Sequence, residues 1–341
     1  MGLSKAMRVQ EGAFWALTGA VAGVALIAGS LVSNAAISGR TVSGAHPWQA
    51  LYGVAIRPDG SIYTVGSKAL LMVSDDHGKS WDEQVLHERD GNVLFQDRDL
   101  YAIQFTPDGK SGWIAGEMGI VLHSDDGGKT WTLQQTGVAS NLFNVSAVDA
   151  QHAYACGAEG LVLSTVDGGQ HWNVYKYKDP IIFFDIHYAD ANNGWMVGEF
   201  ETILHTTDGG KTWNVSHGGN TGDYTVGPSF SIVFDNLQHA LVTGLNGEVL
   251  TTADSGKTWK ALKLPEPVAT YAAAVADGRF WLGGEGGRLV GMDAAGKWVV
   301  HRPTFNDIAA VAFLGKAGYA VGLNGLILRT DNAGEQWQVV K

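Results

Sequence analysis

A chain of 341 residues is long enough for two ordinary domains, but 46 glycines and 12 tryptophans against only 8 prolines point to many short strands joined by tight turns. The formal net charge of -11 at pH 7, with no cluster of Lys and Arg to offset it, excludes a nucleic-acid backbone as the main partner. One cysteine, Cys156, excludes an intramolecular disulfide and a cysteine-based zinc site; in its apolar run it reads as a small buried strand residue.

Taken in chain order, Lys5 and Arg8 precede an uncharged run over residues 13–31, and Ser33-Asn34-Ala35-Ala36 supplies the small residues at which a signal peptidase cuts. Residues 1–36 are therefore expected to be a signal peptide or a membrane-anchor helix, and residues 37–47 a linker. The run is nearer the length of about 20 residues that spans a bilayer than the about 7–15 of a signal region. The positive flank comes first, which places the rest of the chain outside the cytoplasm: exported, periplasmic, and anchored to the inner membrane by residues 13–31. Gly19 and Gly23 form a G-x-x-x-G pair through which another membrane helix can approach, although glycine is also common in signal regions.

From residue 74 onward one box returns until the chain ends. It reads SDDHGKSW at 74–81, SDDGGKTW at 124–131, TVDGGQHW at 165–172, TTDGGKTW at 206–213 and TADSGKTW at 252–259. Two worn copies follow: GMDAAGKW at 291–298, and TDNAGEQW at 330–337, where Asn332 replaces the Asp. The boxes supply the pairs Asp76 and Trp81, Asp126 and Trp131, Asp167 and Trp172, Asp208 and Trp213, Asp254 and Trp259, Asp293 and Trp298, and Asn332 and Trp337. Each box sits in a unit of about 40 residues that reads as four short strands, with units opening at Leu51, Leu100, Leu142, Phe183, Phe230, Tyr271 and Ile308. Seven such units predict an all-β, seven-bladed β-propeller over residues 48–341.

The box falls between the third and fourth strands of its unit. There the Asp can accept hydrogen bonds from turn amides, the Gly can take a positive φ, and the Trp can fill the space between blades. It leads into a strand and not a helix, so it lacks the N-terminus that a phosphate cradle uses. A second turn joins strands two and three: Gly116-Glu117-Met118-Gly119, Gly157-Ala158-Glu159-Gly160, Gly198-Glu199-Phe200-Glu201, Gly244-Leu245-Asn246-Gly247, Gly283-Gly284-Glu285-Gly286 and Gly322-Leu323-Asn324-Gly325. In a four-stranded blade these turns share one face with the connections between blades, opposite the boxes. Glu117, Glu159, Glu199 and Glu285 are thus candidates for a ring of carboxylates at one mouth of the central channel, with Asn246 and Asn324 beside them. The longest connections, 82–99 and 214–229, belong to the same face and bring Arg89, Arg98 and Tyr224 to it.

The box resembles the Asp-box, or bacterial neuraminidase repeat, of sialidases, some glycoside hydrolases, sortilin-type receptors and the photosystem II assembly and stability factors. The last group is most similar: residues 321–330 and 197–213 resemble its V-G-x-x-G-x-I-x-x-T-x-D-G-G-x-T-W repeat, and the likeness extends over about residues 48 to 341. It implies a non-enzymatic periplasmic or lumenal propeller that holds membrane-protein intermediates, and relatives outside photosynthetic organisms look like accessory proteins of RND-type exporters. The chain departs from the cyanobacterial pattern in having no lipobox cysteine and only a thin scatter of arginines, so attachment must come from the N-terminal helix.

A sialidase needs an arginine triad and a Tyr–Glu nucleophile pair; the nearest match, Ile56-Arg57-Pro58, falls on the box side. His123 and His205 fall at equivalent strand positions in different units, which suits a structural role better than a metal site. No catalytic residue, metal or cofactor is therefore expected. The leading expectation is an accessory factor that binds a membrane protein, an RND-family exporter, through the inter-blade loop face; a secreted glycosidase or lectin is the alternative.

Overall fold

The computed structural model describes residues 34–42, 44–87, 97–220, 222–223, 225–293 and 295–340. Seven antiparallel four-stranded blades follow one another: 51–87, 100–133, 142–176, 183–217, 232–263, 270–301 and 308–339. The all-β propeller read from the repeats is the observed fold. Regular pairing in the fifth blade begins at Ile232, two residues after the expected opening at Phe230. Among the described residues no helix is long and apolar enough to cross a membrane, and residues 13–31, with Gly19 and Gly23, lie outside them.

Each blade twists so that its two faces meet its neighbours, and each seam is filled by one apolar cluster. Blades 1 and 2 meet through Tyr63, Val65 and Leu71 against Ile103, Ile114 and Trp131. Blades 2 and 3 meet through Trp113 and Val121 against Val145 and Leu163, with Trp172 edge-on to Trp113 at 5.6 Å. Between blades 3 and 4, Tyr154 stacks on Tyr188 at 3.5 Å, and Cys156 is fully buried with its thiol toward the Phe183 carbonyl. The box tryptophan of every blade thus packs toward the preceding blade, which explains why the repeat keeps it. Trp81 and Trp131 are completely buried, whereas Trp172, Trp259, Trp298 and Trp337 stay partly exposed.

The box turn works as the residue pattern implies. In blade 4, Asp208 accepts hydrogen bonds from the Thr212 amide at 2.9 Å and from the hydroxyls of Thr212 and Thr206 at 2.6 and 2.8 Å. The Thr206 hydroxyl in turn accepts from the Gly210 amide at 3.0 Å. Asn332 in the last box accepts from the Gln336 amide at 2.9 Å and the Thr330 hydroxyl at 2.8 Å, so the Asp→Asn change leaves the turn intact. The second box glycine also carries an inter-blade contact. At Gly128, φ is +85° and an added Cβ would stand 2.7 Å from the Tyr63 ring of blade 1. Tyr63 then donates its hydroxyl to the Gly127 carbonyl at 2.9 Å.

The ring closes between blades 7 and 1. Trp81, Met72 and Leu51 pack on Tyr319, Val321 and Ile327; Arg329 donates to the His77 carbonyl at 2.8 Å, and the Gly325 amide to the Gln49 carbonyl at 2.7 Å. All four strands of blade 1 and all four of blade 7 come from their own ends of the chain. The strand Asn34–Val42, part of it in the stretch read as a linker, is an addition that the repeat pattern does not announce. It pairs along Trp81–His87 of blade 1 and, through Asn34 and Ala35, with Thr132 and Trp131 of blade 2, which joins the two blades into one nine-stranded sheet.

Candidate functional site

The innermost strands converge on the central channel, and they share one irregularity. The register between first and second strands skips one residue in blades 1, 2, 3, 4, 6 and 7, leaving Tyr52, Tyr101, Phe143, Phe184, Tyr271 and Ala309 unpaired. A bulge of this kind re-aims the side chain of its extra residue. In blade 5 Phe230, whose amide donates to the Thr243 carbonyl at 3.1 Å, occupies the corresponding place. The result is a girdle of six aromatic rings around the mouth. Successive centroids are 5.8 Å apart from Tyr52 to Tyr101, then 5.3 Å to Phe143, 6.1 Å to Phe184, 5.4 Å to Phe230 and 5.4 Å to Tyr271. Only blade 7, with Ala309, leaves a gap.

The girdle lies on the face made by the connections and the strand-two-to-three turns. The Glu117 amide donates to the Asp99 carbonyl, Ala158 to Asn141, Glu199 to Ile182 and Glu285 to Ala269, so each turn is tied to the start of its own blade. Three of the four singled-out glutamates, Glu117, Glu199 and Glu285, occupy the first position of their turns; Glu159 occupies the second. The difference decides what they do. Glu117 accepts from the Asp99 amide at 3.2 Å and Glu199 from the Ile182 amide at 2.8 Å, which fastens the turn to the innermost strand. Glu159 projects outward and pairs with Lys176 at 3.4 Å. Asn246 and Asn324 hold the same second position with φ of +56° and +59°, a region asparagine tolerates, and both are exposed.

Arg98 stands 3.8 Å from Asp97, with its guanidinium also against the Met118 sulfur. Arg89 and Tyr224 lie outside the described residues. Asn214–His217, read as the start of a long connection, is the outer strand of blade 4; residues 225–229 after it and the Leu245-Asn246 turn wall a polar cleft lined by Glu201, Thr225, Pro228 and Thr243. Arg57, the residue nearest to a sialidase arginine, is committed at the box side to Asp59 at 2.9 Å and the Gly109 carbonyl at 3.0 Å. His123 and His205 lie flat on Trp113 and Trp195, with centroids at 3.8 and 4.6 Å. Burial lowers the pKa of both imidazoles.

Electrostatically the mouth is acidic around neutral phenols. Burial, and then the charges of Asp99 and Glu117, push the Tyr101 hydroxyl far above its ordinary value; burial with Asp307 and Glu285 does the same at Tyr271. Asp99 accepts from the Lys68 amide at 3.0 Å and the Tyr52 hydroxyl at 3.4 Å, yet burial still raises its pKa. Deeper in the channel wall Asp185 accepts from the Asn144 amide group at 2.7 Å, the Ser231 hydroxyl at 2.8 Å and the Ile232 amide at 2.8 Å, tying blades 3, 4 and 5 together. Burial outweighs these donors and lifts its pKa to about 6. Chemically the arrangement offers stacking surfaces and hydrogen-bond acceptors. Among the described residues no group of His, Cys, Asp and Glu is placed to hold a metal ion.

Known proteins share this architecture. The family profile described as photosynthesis system II assembly factor YCF48 matches residues 45–136, 130–215 and 177–276. The photosystem II assembly lipoprotein Ycf48 of Synechococcus sp. (strain CC9902) is 34% identical over 70 residues, which is 20% of this chain and only 19% of that protein's length. Among solved structures, YCF48 bound to D1 peptide superposes with a TM-score of 0.68 at 18% identity, covering 86% of this chain and 96% of that one. YCF48 from Cyanidioschyzon merolae gives 0.57 at 21% identity over 71% and 84% of the two chains. Virginiamycin B lyase from Staphylococcus aureus gives 0.71 at 11% identity over 86% and 99%, a likeness of fold alone. With three overlapping profile matches laid over the same repeats that build the blades, this chain belongs to the photosynthesis system II assembly factor YCF48 family.

Proposed function

We propose that this chain is a non-enzymatic, exported assembly or accessory factor that holds an extended segment of a membrane-protein partner across its loop face. The aromatic girdle carries the reading. Five blades use a bulge, and blade 5 the residue Phe230 ahead of its first strand, to present an aromatic ring at one mouth, which suits apolar side chains and backbone far better than it suits bond-breaking chemistry. A relative solved with a D1 peptide supports a peptide-like ligand. The exposed second positions of the turns, Glu159, Asn246 and Asn324, are the partner-facing residues, together with Arg98 and with Arg89 and Tyr224 in the long connections.

The resemblance to exporter accessory proteins makes an RND-type transporter the proposed partner. The uncharged run with its positive flank makes the periplasm, with an inner-membrane anchor at residues 13–31, the proposed location. The curated relative is a lipoprotein, which fits membrane attachment; here the single cysteine is completely buried in blade 3, so attachment rests on residues 13–31.

Affinity purification of the full chain from solubilised membranes tests the proposal. One integral membrane protein is expected to copurify, and recovery of the chain alone would refute it. Fluorogenic glycosides and a glycan array are expected to be blank; turnover or a glycan hit would return the chain to the glycan-active alternative.

A further inference from the structure

The two most exposed large apolar side chains among the described residues are Phe305 and Trp48, at 78% and 76% exposure. They are not scattered. Each stands three residues before the innermost strand of its blade, Phe305 before Ile308–Leu314 and Trp48 before Leu51–Ile56. In blades 2, 3, 4 and 6 the same place is taken by Asp97, Ala139, Pro180 and Pro267. Between the two rings lies the turn of blade 7: the Asn324 side-chain amide donates to Asn306 at 3.0 Å, and the Gly325 amide donates to the Gln49 carbonyl at 2.7 Å.

Both rings are held ready. Trp48 stacks on His46 with centroids 4.4 Å apart and planes 5° from parallel, and the Arg302 guanidinium lies 4.4 Å over the Phe305 ring. Immobilised rings lose little rotamer freedom on binding. They flank the one sector of the mouth where the girdle is open, at Ala309. Arg302 is exposed, and its hydrogen bond goes to the Gly286 carbonyl at 3.1 Å; among the described residues no carboxylate pairs with it. A guanidinium with no carboxylate partner among the described residues, beside two exposed rings, selects a ligand that is apolar and locally acidic.

We propose that Trp48 and Phe305 grip an internal extended segment of the partner, with one apolar side chain over the gap at Ala309 and an Asp or Glu side chain on Arg302. This rests on the reading of the loop face as the partner face.

Selection of phage-displayed random peptides against the full chain tests it, because such peptides carry no free carboxyl terminus. Enriched sequences are expected to combine an apolar residue with Asp or Glu and to bind Trp48→Ala and Phe305→Ala about tenfold or more weaker. Arg302→Glu is expected to turn the selection toward Lys and Arg. Unchanged urea unfolding of the three variants separates binding from folding. Peptides that bind the variants at full affinity overturn the inference while leaving the proposed function standing, and so does a lack of enrichment when the membrane partner still copurifies. Vesicles of phosphatidylethanolamine and phosphatidylglycerol, or a second copy of the chain, bound through the same two rings would replace the peptide and also overturn it.

Discussion

Alanine at Gly128 and at Gly296 separates two demands that the box places on its glycines. Both have positive φ, +85° and +74°, but an added Cβ at Gly128 would stand 2.7 Å from the Tyr63 ring, whereas at Gly296 it meets nothing within 4 Å. Tyr63 is only 4% exposed and its hydroxyl is fixed on the Gly127 carbonyl at 2.9 Å, so the ring has nowhere to swing. Gly296→Ala meets the left-handed penalty alone and is expected to destabilise by about 1 kcal/mol. Gly128→Ala adds overpacking of about 1–3 kcal/mol, for a total of about 2–4 kcal/mol. Urea unfolding followed by tryptophan fluorescence measures both, provided the denaturant slope is unchanged. In a Tyr63→Leu background the cost at Gly128 is expected to fall to that at Gly296. Equal costs at the two glycines in the parent chain would refute the view that the box turn is clamped by the neighbouring blade.

The remaining expectations concern packing, protons and the mouth. Trp131→Ala, which empties a completely buried site, is expected to cost about 3–5 kcal/mol, and Trp337→Ala, at a partly exposed site, less than half of that by the same unfolding assay. Hydrogen bonds hold the carboxyls of Asp167, Asp208 and Asp254 at about 2, chiefly the His171 amide at the first and the hydroxyls of Thr212 and Thr258 at the others. Folded values below the unfolded one of about 3.9 mean stabilisation that is complete above pH ~4 and lost as the pH falls to ~2; Asn at the three positions should flatten that acid limb of the melting curve. Asp185 has the opposite sign. Its folded value of about 6 is raised, so the parent loses stability relative to Asp185→Asn as the pH rises from ~4 to ~6. Tyr271→Ala removes one half-buried ring of the girdle and is expected to reduce partner recovery about tenfold while the fold persists by circular dichroism.

The blade count and the box were legible because they repeat: Asp208 and Trp213 recur with fixed spacing, and each does inside its blade what the residue type suggests. The face was legible too, since a turn such as Gly116-Glu117-Met118-Gly119 must lie opposite the box in a four-stranded blade. What the side chains do on that face was not. Glu117 and Glu199 look like free carboxylates in a turn, but a one-residue offset separates them, bound to backbone amides, from the outward-facing Glu159. The girdle was hidden for a sharper reason. Strict alternation pairs Leu51 with Gly53 on one side and buries Tyr52 on the other, and only the register shift turns Tyr52, Tyr101 and Phe143 into the mouth. A bulge leaves no mark in a hydrophobic pattern; an aromatic one residue after the opening in the first four units, and at the opening itself in the fifth and sixth, was the available sign. The strand Asn34–Val42 falls outside the repeat period, so nothing in the periodicity pointed to it.

Because blades 1 and 7 exchange no strand among the described residues, the junction between them is the one place in the ring that no peptide linkage crosses. Mechanically the molecule is a split washer. Its cut is held by Trp81 on Tyr319, by Arg329 on the His77 carbonyl and by Gly325 on the Gln49 carbonyl, and heat or tension should open it there before any other seam. Trp48 belongs to the lip of blade 1 and Phe305 to the lip of blade 7. A ligand resting on both spans the cut as a clasp does, so occupancy and closure rise together, and the melting temperature becomes a gauge of whether the clasp is fastened.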